Sequence, residues 1–278
     1  MYNPLRLRIQ LLKEKMKAVL RMFADFFGFN GYTRVPEGYL SWQHLTFVSS
    51  LMAVMVTLAV VLGKRNRNKS NKKRNKVLII ATILMELFEI SKIVLKCTVG
   101  GNPRAWLQEL PLYMCSIQLI TLPLASFAKG RIREAALDFV CMFGVLGAVL
   151  GTYGAGQNYA CYPVLSFDNV NSGLTHSIAG FSSLYIMISG MASMKKENSL
   201  ISHGIIIAFG IAAYCVNLVL ETNYMFLVRG DGTPYDILFN LVSGNKVLYP
   251  LGVIVLFILY MICFRFIFVK VLNRKKAK

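Results

Sequence analysis

The stretch HLTFVSSLMAVMVTLAVVLGKRNRNKSNKKRNK (residues 44–76) sets an apolar run of twenty residues directly against a segment holding eight lysines and arginines. At 1.5 Å rise per residue, twenty residues cover the ~30 Å hydrocarbon core of a bilayer. An abrupt switch to cationic sequence is what a span leaving the membrane among anionic headgroups requires. Working outward, six more apolar runs of similar length follow, at 77–97, 110–128, 135–155, 174–194, 201–222 and 247–269. The predicted fold class is therefore all-α, a polytopic helical membrane protein with seven transmembrane helices. The runs are continuous rather than alternating, which excludes an outer-membrane barrel.

Composition agrees. Of 278 residues, 55% are hydrophobic and 16% charged, and the mean hydropathy of +0.53 is too apolar for a soluble domain. The net charge is +18, but the basic residues cluster in loops and tails and lack the aromatic interleaving that stacks bases. The partners expected are membrane lipids, not nucleic acid.

The loops fix an orientation. Segments 64–76, 129–134 and 195–200 and the C-terminal tail hold eighteen Lys and Arg, whereas 98–109, 156–173 and 223–246 hold three. The positive-inside bias places the C-terminus in the cytoplasm and the N-terminus outside, in a multi-pass protein of the plasma membrane. Seven basic residues precede the first span, but only Arg34 lies within fifteen positions of it. Residues 5–28 repeat Leu5, Ile9, Leu12, Met16, Leu20 and Phe23 at helical spacing with basic residues on the other faces, the pattern of an interfacial amphipathic helix. The chain thus divides into that helix and a linker (1–43), a seven-span domain (44–270) and a basic tail (271–278). No signal-peptide order opens the sequence.

Six cysteines show no CxxC or metal-ligand spacing, so neither a metal nor another cofactor is implied. Cys97 and Cys161 fall near the exterior loops, where a disulfide is chemically possible.

Ionisable and amide groups inside spans are costly and ask for a partner or a function. With the orientation above, most fall in the outer leaflet: His44, Glu89, Lys92, Lys96, Cys115, Gln118, His176, Asn217, Glu221 and Tyr249, with Asn223 and Tyr224 just beyond. Asp138 and His203 lie near the inner interface. Cys115 and His176 reach similar depths on spans three and five, Cys115 roughly 8 Å below the outer end. A neutral imidazole within reach of a thiol takes its proton and returns it to a leaving group. Gln118, Asn217, Asn223 or Tyr249 can donate to a developing oxyanion. Each residue also has a plainer reading: Cys115 as a small apolar filler, His176 as a cap, Glu89 with Lys92 as an intrahelical ion pair. The glycines of span four (Gly144, Gly147, Gly151, Gly154) read as close helix packing.

The segments WQHLTF (42–47), ELPLYMCSIQL (109–119), LTHSIAGFSSLYI (174–186) and ETNYMFL (221–227) resemble the bacterial YwaF-type integral membrane proteins. These are similar to a eukaryotic family named transmembrane protein one-hundred-sixty-four and, more distantly, to the androgen-induced and androgen-dependent transmembrane hydrolases. The likeness covers roughly residues 42–270. It implies acyl transfer or ester hydrolysis on a phospholipid or fatty-acyl substrate, with Cys115 as nucleophile and His176 as base. The family commonly has His two residues before the Cys, where this chain has Tyr113. His44, Glu89, Gln118, Asn217, Asn223 and Tyr249 are the expected substrate-binding residues. The alternative is a transporter or binding protein with an outward-facing polar cavity and no chemistry. A third reading gives the basic loop and amphipathic helix a role in organising a membrane complex.

Overall fold

A computed structural model describes residues 4–28, 31–98 and 102–276, and every regular element among them is helical. Residues 1–3, 29–30, 99–101 and 277–278 lie outside it, and with them part of the expected 98–109 loop and the end of the basic tail. The helices are α1 (Pro4–Phe27), α2 (Trp42–Asn66), α3 (Asn71–Thr98), α4 (Gln118–Phe127), α5 (Gly130–Leu150), α6 (Gly156–Cys161), α7 (Phe167–Ser189), α8 (Lys196–Leu220), α9 (Tyr235–Leu241) and α10 (Leu248–Lys276). Short 3-10 turns lie at Ala105–Gln108 and Tyr224–Phe226.

Among the described residues, three helices combine length with an apolar composition suited to crossing a membrane: Trp42–Asn66, Lys196–Leu220 and Leu248–Val271. Of the other long helices, α3, α5 and α7 have 28, 21 and 23 residues, and the amphipathic α1 has 24. Charged or amide side chains interrupt their apolar runs. The seven-span expectation therefore meets three clear spans and three long, more polar helices.

Two expected segments fold differently from their sequence reading. The basic run 64–76 is mostly helix: α2 continues to Asn66 and α3 starts at Asn71. Lys64 and Arg65 suit the negative end of the α2 dipole. Arg74 is held in the first turns of α3 by donating Nη1 to the Ser189 carbonyl at 3.0 Å, while Tyr185 donates its hydroxyl to the Arg74 carbonyl at 2.9 Å. The 110–128 run is helical only from Gln118. Upstream, Pro111 has no N–H to give, and Leu112 N–H closes a tight turn on the Leu110 carbonyl at 2.7 Å. Cys115 consequently sits on a turn leading into α4.

At the centre lies α5, buried on all sides from Ala135 to Gly144, where Asp138 is the one charged residue in an otherwise apolar surface. Helix α7 crosses it closely because Gly144 carries no side chain; a Cβ there would collide with the Ala179 carbonyl. On its other side α7 meets α2, where Gly63 makes room for Ile188 and Gly173 for Leu51. Ser166 caps the start of α7, and Gly190 ends it in the left-handed region that its φ of 71° requires.

The amphipathic N-terminal segment is helical as its pattern predicts, with Met16, Leu20 and Phe23 each more than half exposed. Phe26 and Phe27 rest against Phe167 at the head of α7. The linker after it is fastened over the same end of the bundle. Tyr32 donates to Asp168 (2.6 Å), the Val164 N–H donates to Glu37 (2.7 Å), and Tyr39 donates to the Tyr153 carbonyl (2.8 Å). All six cysteines are free, so the Cys97–Cys161 disulfide is not formed.

Candidate active site

Four elements converge on a cavity of about 60 Å³. Met85, Glu89 and Lys92 come from α3, and Gly147 from α5. Cys115, Ser116, Gln118 and Leu119 come from the turn and first residues of α4; Ser172, Thr175, His176 and Ala179 come from α7. That volume holds roughly two waters, enough for one small polar group and too little for a whole lipid.

Cys115 and His176 line this cavity together, and the thiol lies near enough to the imidazole for the two to interact. The imidazole's other nitrogen, Nδ1, lies 2.7 Å from the Ser172 carbonyl one helical turn earlier. A carbonyl only accepts, so Nδ1 carries the proton and Nε2 of the neutral ring is the free acceptor. On α5, successive turns are shaped to this pair. Gly147 leaves ordinary contact distance to Cys115 (3.8 Å from a built Cβ), whereas a Cβ on Gly151 would overlap the Cδ2 and Nε2 edge of His176. The glycine face thus does two jobs, helix crossing at Gly144 and accommodation of the imidazole at Gly151.

Gln118, only 1% exposed, accepts from Thr121 through Oε1 at 3.2 Å, while its buried Nε2 has no partner among the described residues. An orphaned donor lining a cavity is costly unless a ligand atom completes it.

Behind the cavity runs a chain of charges. Lys92 pairs with Glu89 (2.8 Å) and Glu109 (2.8 Å); Lys96 pairs with Glu109 (2.5 Å) and Asp168 (3.3 Å), to which Tyr32 donates. Burial raises the Glu109 carboxyl, but the ammonium groups of Lys92 and Lys96 outweigh this and hold it below the ordinary carboxylate value. The intrahelical Glu89–Lys92 pair is therefore one segment of a network joining α3, the turn before α4, the start of α7 and the N-terminal linker.

Of the residues singled out from sequence, Cys115, His176, Glu89 and Gln118 come together here. His44, Asn217, Asn223 and Tyr249 do not line the cavity. His44 is fully buried and both ring nitrogens are engaged: Nδ1 accepts from Leu40 N–H (3.1 Å) and Nε2 donates to the Thr152 carbonyl (3.2 Å). Asn217 grips the backbone of Tyr224 at both its N–H (2.7 Å) and its carbonyl (3.0 Å). Asn223 closes the next turn onto Val228, Arg229 and Asp231. These amides position Tyr224, whose hydroxyl donates to the Leu107 carbonyl (2.6 Å) and whose ring meets Tyr113 at 4.8 Å, two residues from Cys115. Tyr249 is buried against Phe239. Ser172, Gly151 and Glu109 were not singled out for the site. Only the i−4 spacing of Ser172 from His176 could have pointed to one of them.

An all-helical bundle with membrane-spanning helices and a cysteine and a histidine lining one polar cavity between helices defines a class: helical integral membrane proteins with an intramembrane polar site. The sequence pattern of the TMEM164 family matches residues 39–268, and the chain belongs to that family. Comparison with curated proteins and with solved structures finds no match.

Proposed function

We propose that this protein is a membrane-embedded acyl-handling enzyme that acts on a phospholipid or fatty-acyl ester through Cys115 and His176. One observation carries the reading: Ser172 fixes the His176 tautomer so that the free nitrogen belongs to the side of the ring left for the thiol. In the proposed reaction Nε2 takes the Cys115 proton as sulfur attacks the ester carbonyl carbon. Gln118 Nε2 donates to the developing oxyanion. The C–O bond then breaks, and the departing alkoxide takes the proton from Nε2, leaving an acyl thioester. A second lipid hydroxyl, or water, attacks that thioester with Nε2 again accepting the proton, and the thiol is regenerated as the new ester or acid leaves. The small cavity suits an ester carbonyl alone, with acyl chains lying between helices.

In this reading the seven spans are α2, α3, the 110–128 segment ending in α4, α5, α7, α8 and α10. The irregular turn at Cys115 is tolerated because protein surrounds it. The charge asymmetry of the loops supports a cytoplasmic C-terminus, an exterior N-terminus and a plasma-membrane location. The segments around Cys115 and His176 support kinship with the bacterial YwaF-type members.

Cys115→Ala and His176→Ala are the test, in an acyl-exchange assay with the protein reconstituted in lipid. The Cys variant loses all exchange and the His variant falls by about 10²–10⁴-fold, both inserting normally. Full exchange by either variant removes the pair. A second reading, solute binding or transport without chemistry, rests on the Glu89–Lys92 pair that lines the same cavity. It predicts the reverse pattern, with Glu89→Gln impaired and Cys115→Ala silent.

A further inference from the structure

A second and larger cavity, about 260 Å³, lies toward the other end of the α5–α7 pair, between the middle of α5, the start of α8 and the far half of α10. Along α5 it is separated from the Cys115 cavity by the residues between Met142 and Gly147, roughly 8 Å of helix. Its lining is chemically divided. Lys195, Lys196, His203 and Arg265 are basic, while Met142, Met194, Met261 and Ile262 form an apolar wall.

The protein neutralises only part of the positive charge here. Asp138 is the acid in the lining, and its oxygens are already engaged: Ser193 N–H at 2.9 Å, Met194 N–H at 3.0 Å and Asn198 Nδ2 at 3.1 Å. Lys195 is taken by Glu134 at 2.9 Å. Lys196 and Arg265 form no ion pair among the described residues. Arg265 donates Nε to the Met194 carbonyl at 3.0 Å, which fixes the guanidinium plane, and it sits close enough to His203 for the two to repel. Two cations with no ion-pair partner among the described residues, beside an Asp138 whose oxygens are taken up by backbone and Asn198 donors, leave room for an anion, and a guanidinium matches the geometry of a phosphate. The apolar wall continues into lipid-facing surface, since Ile262 and Phe266 are 50% and 66% exposed. This is also the end of the bundle that carries the basic segments, where anionic headgroups concentrate.

We propose that this cavity binds the phosphate of an anionic phospholipid, with Lys196 and Arg265 on the headgroup and the methionine wall against the glycerol and first methylenes. It is a binding site separate from the cysteine cavity and is independent of whether Cys115 is a nucleophile.

The test is thermal stability of the full-length protein in neutral detergent, titrated separately with short-chain phosphatidic acid, short-chain phosphatidylcholine and inorganic phosphate. Phosphatidic acid should raise the melting temperature at concentrations where the other two do little. Lys196→Gln and Arg265→Gln should each weaken the apparent affinity for phosphatidic acid by about tenfold, the loss of one charge-assisted contact. Equal stabilisation by inorganic phosphate would assign the site to a soluble anion and overturn the lipid. Equal stabilisation by phosphatidylcholine, or unchanged affinity in Lys196→Gln, would overturn the site itself. Lys196 is exposed and its side chain bonds no neighbour among the described residues, so this variant and the three-ligand comparison on the unaltered protein decide the matter even where Arg265→Gln does not fold.

Discussion

The α5–α7 pair holds a buried polar cluster near each end, and the two are built on opposite principles. At the Asp138 end, the carboxylate accepts from two backbone N–H groups and from Asn198, which locks the turn between α7 and α8. At the Cys115 end, valences are left open: Nε2 of Gln118 has no partner among the described residues, and the thiol and imidazole line one cavity. Buried polar groups that satisfy one another hold a fold in place. Groups held in place but left incomplete are poised for something the chain does not itself contain.

The sharpest way to break this contrast is through the glycines of α5. Gly151→Ala puts a methyl group where the His176 ring lies and should lower acyl exchange by about 10²-fold, the cost of misplacing a catalytic group by about an ångström. Gly147→Ala meets Cys115 only at ordinary contact distance and should stay within a fewfold of the unaltered protein. Equal effects of the two would mean that the glycines serve helix crossing alone.

A smaller effect separates the two acids. Glu109→Gln leaves Lys92 and Lys96 short of a shared partner and should cost about 2–3 kcal/mol of stability. Asp138→Asn removes one acceptor from a well-bonded turn and should cost about 1–2 kcal/mol, with exchange per folded molecule unchanged. The pH dependence follows from Glu109. Its carboxyl is held below the ordinary value of 4.5, so its stabilisation is complete above that value and is lost as pH falls through the lowered one. Denaturation midpoints measured downward from pH 6 should fall more steeply for the unaltered protein than for Glu109→Gln. Parallel curves would remove Glu109 from the network.

Much of this was legible in the sequence, for physical reasons that differ from residue to residue. Long apolar runs and one-sided basic loops mark a helical membrane protein because bilayer thickness and headgroup charge act on composition directly. Cys115 and His176 stood out as polar groups in apolar surroundings. The partners that orient them did not. Ser172 acts through its backbone carbonyl, which any residue carries. Gly151 looked like one more small residue in a packing ladder. Glu109 and Asp168 sit outside the apolar runs, so their approach to Lys92 and Lys96 depends on a loop folding back that no local pattern encodes. His44 and Asn217 stood out for the same reason, and their side chains bond neighbouring backbone outside the Cys115 cavity. The turn at Cys115 was hidden because Pro111 interrupts a run whose hydropathy still reads as a span.

The most direct measurement is covalent labelling in the membrane with an acyl-chain probe bearing a thiol-reactive group, followed by mass-spectrometric mapping of the modified residue. The pairing of thiol and imidazole predicts label on Cys115 in the unaltered protein and its near-complete loss in His176→Ala. Label spread over the exposed Cys161, Cys215 and Cys263, or label on Cys115 that persists undiminished without His176, would contradict it.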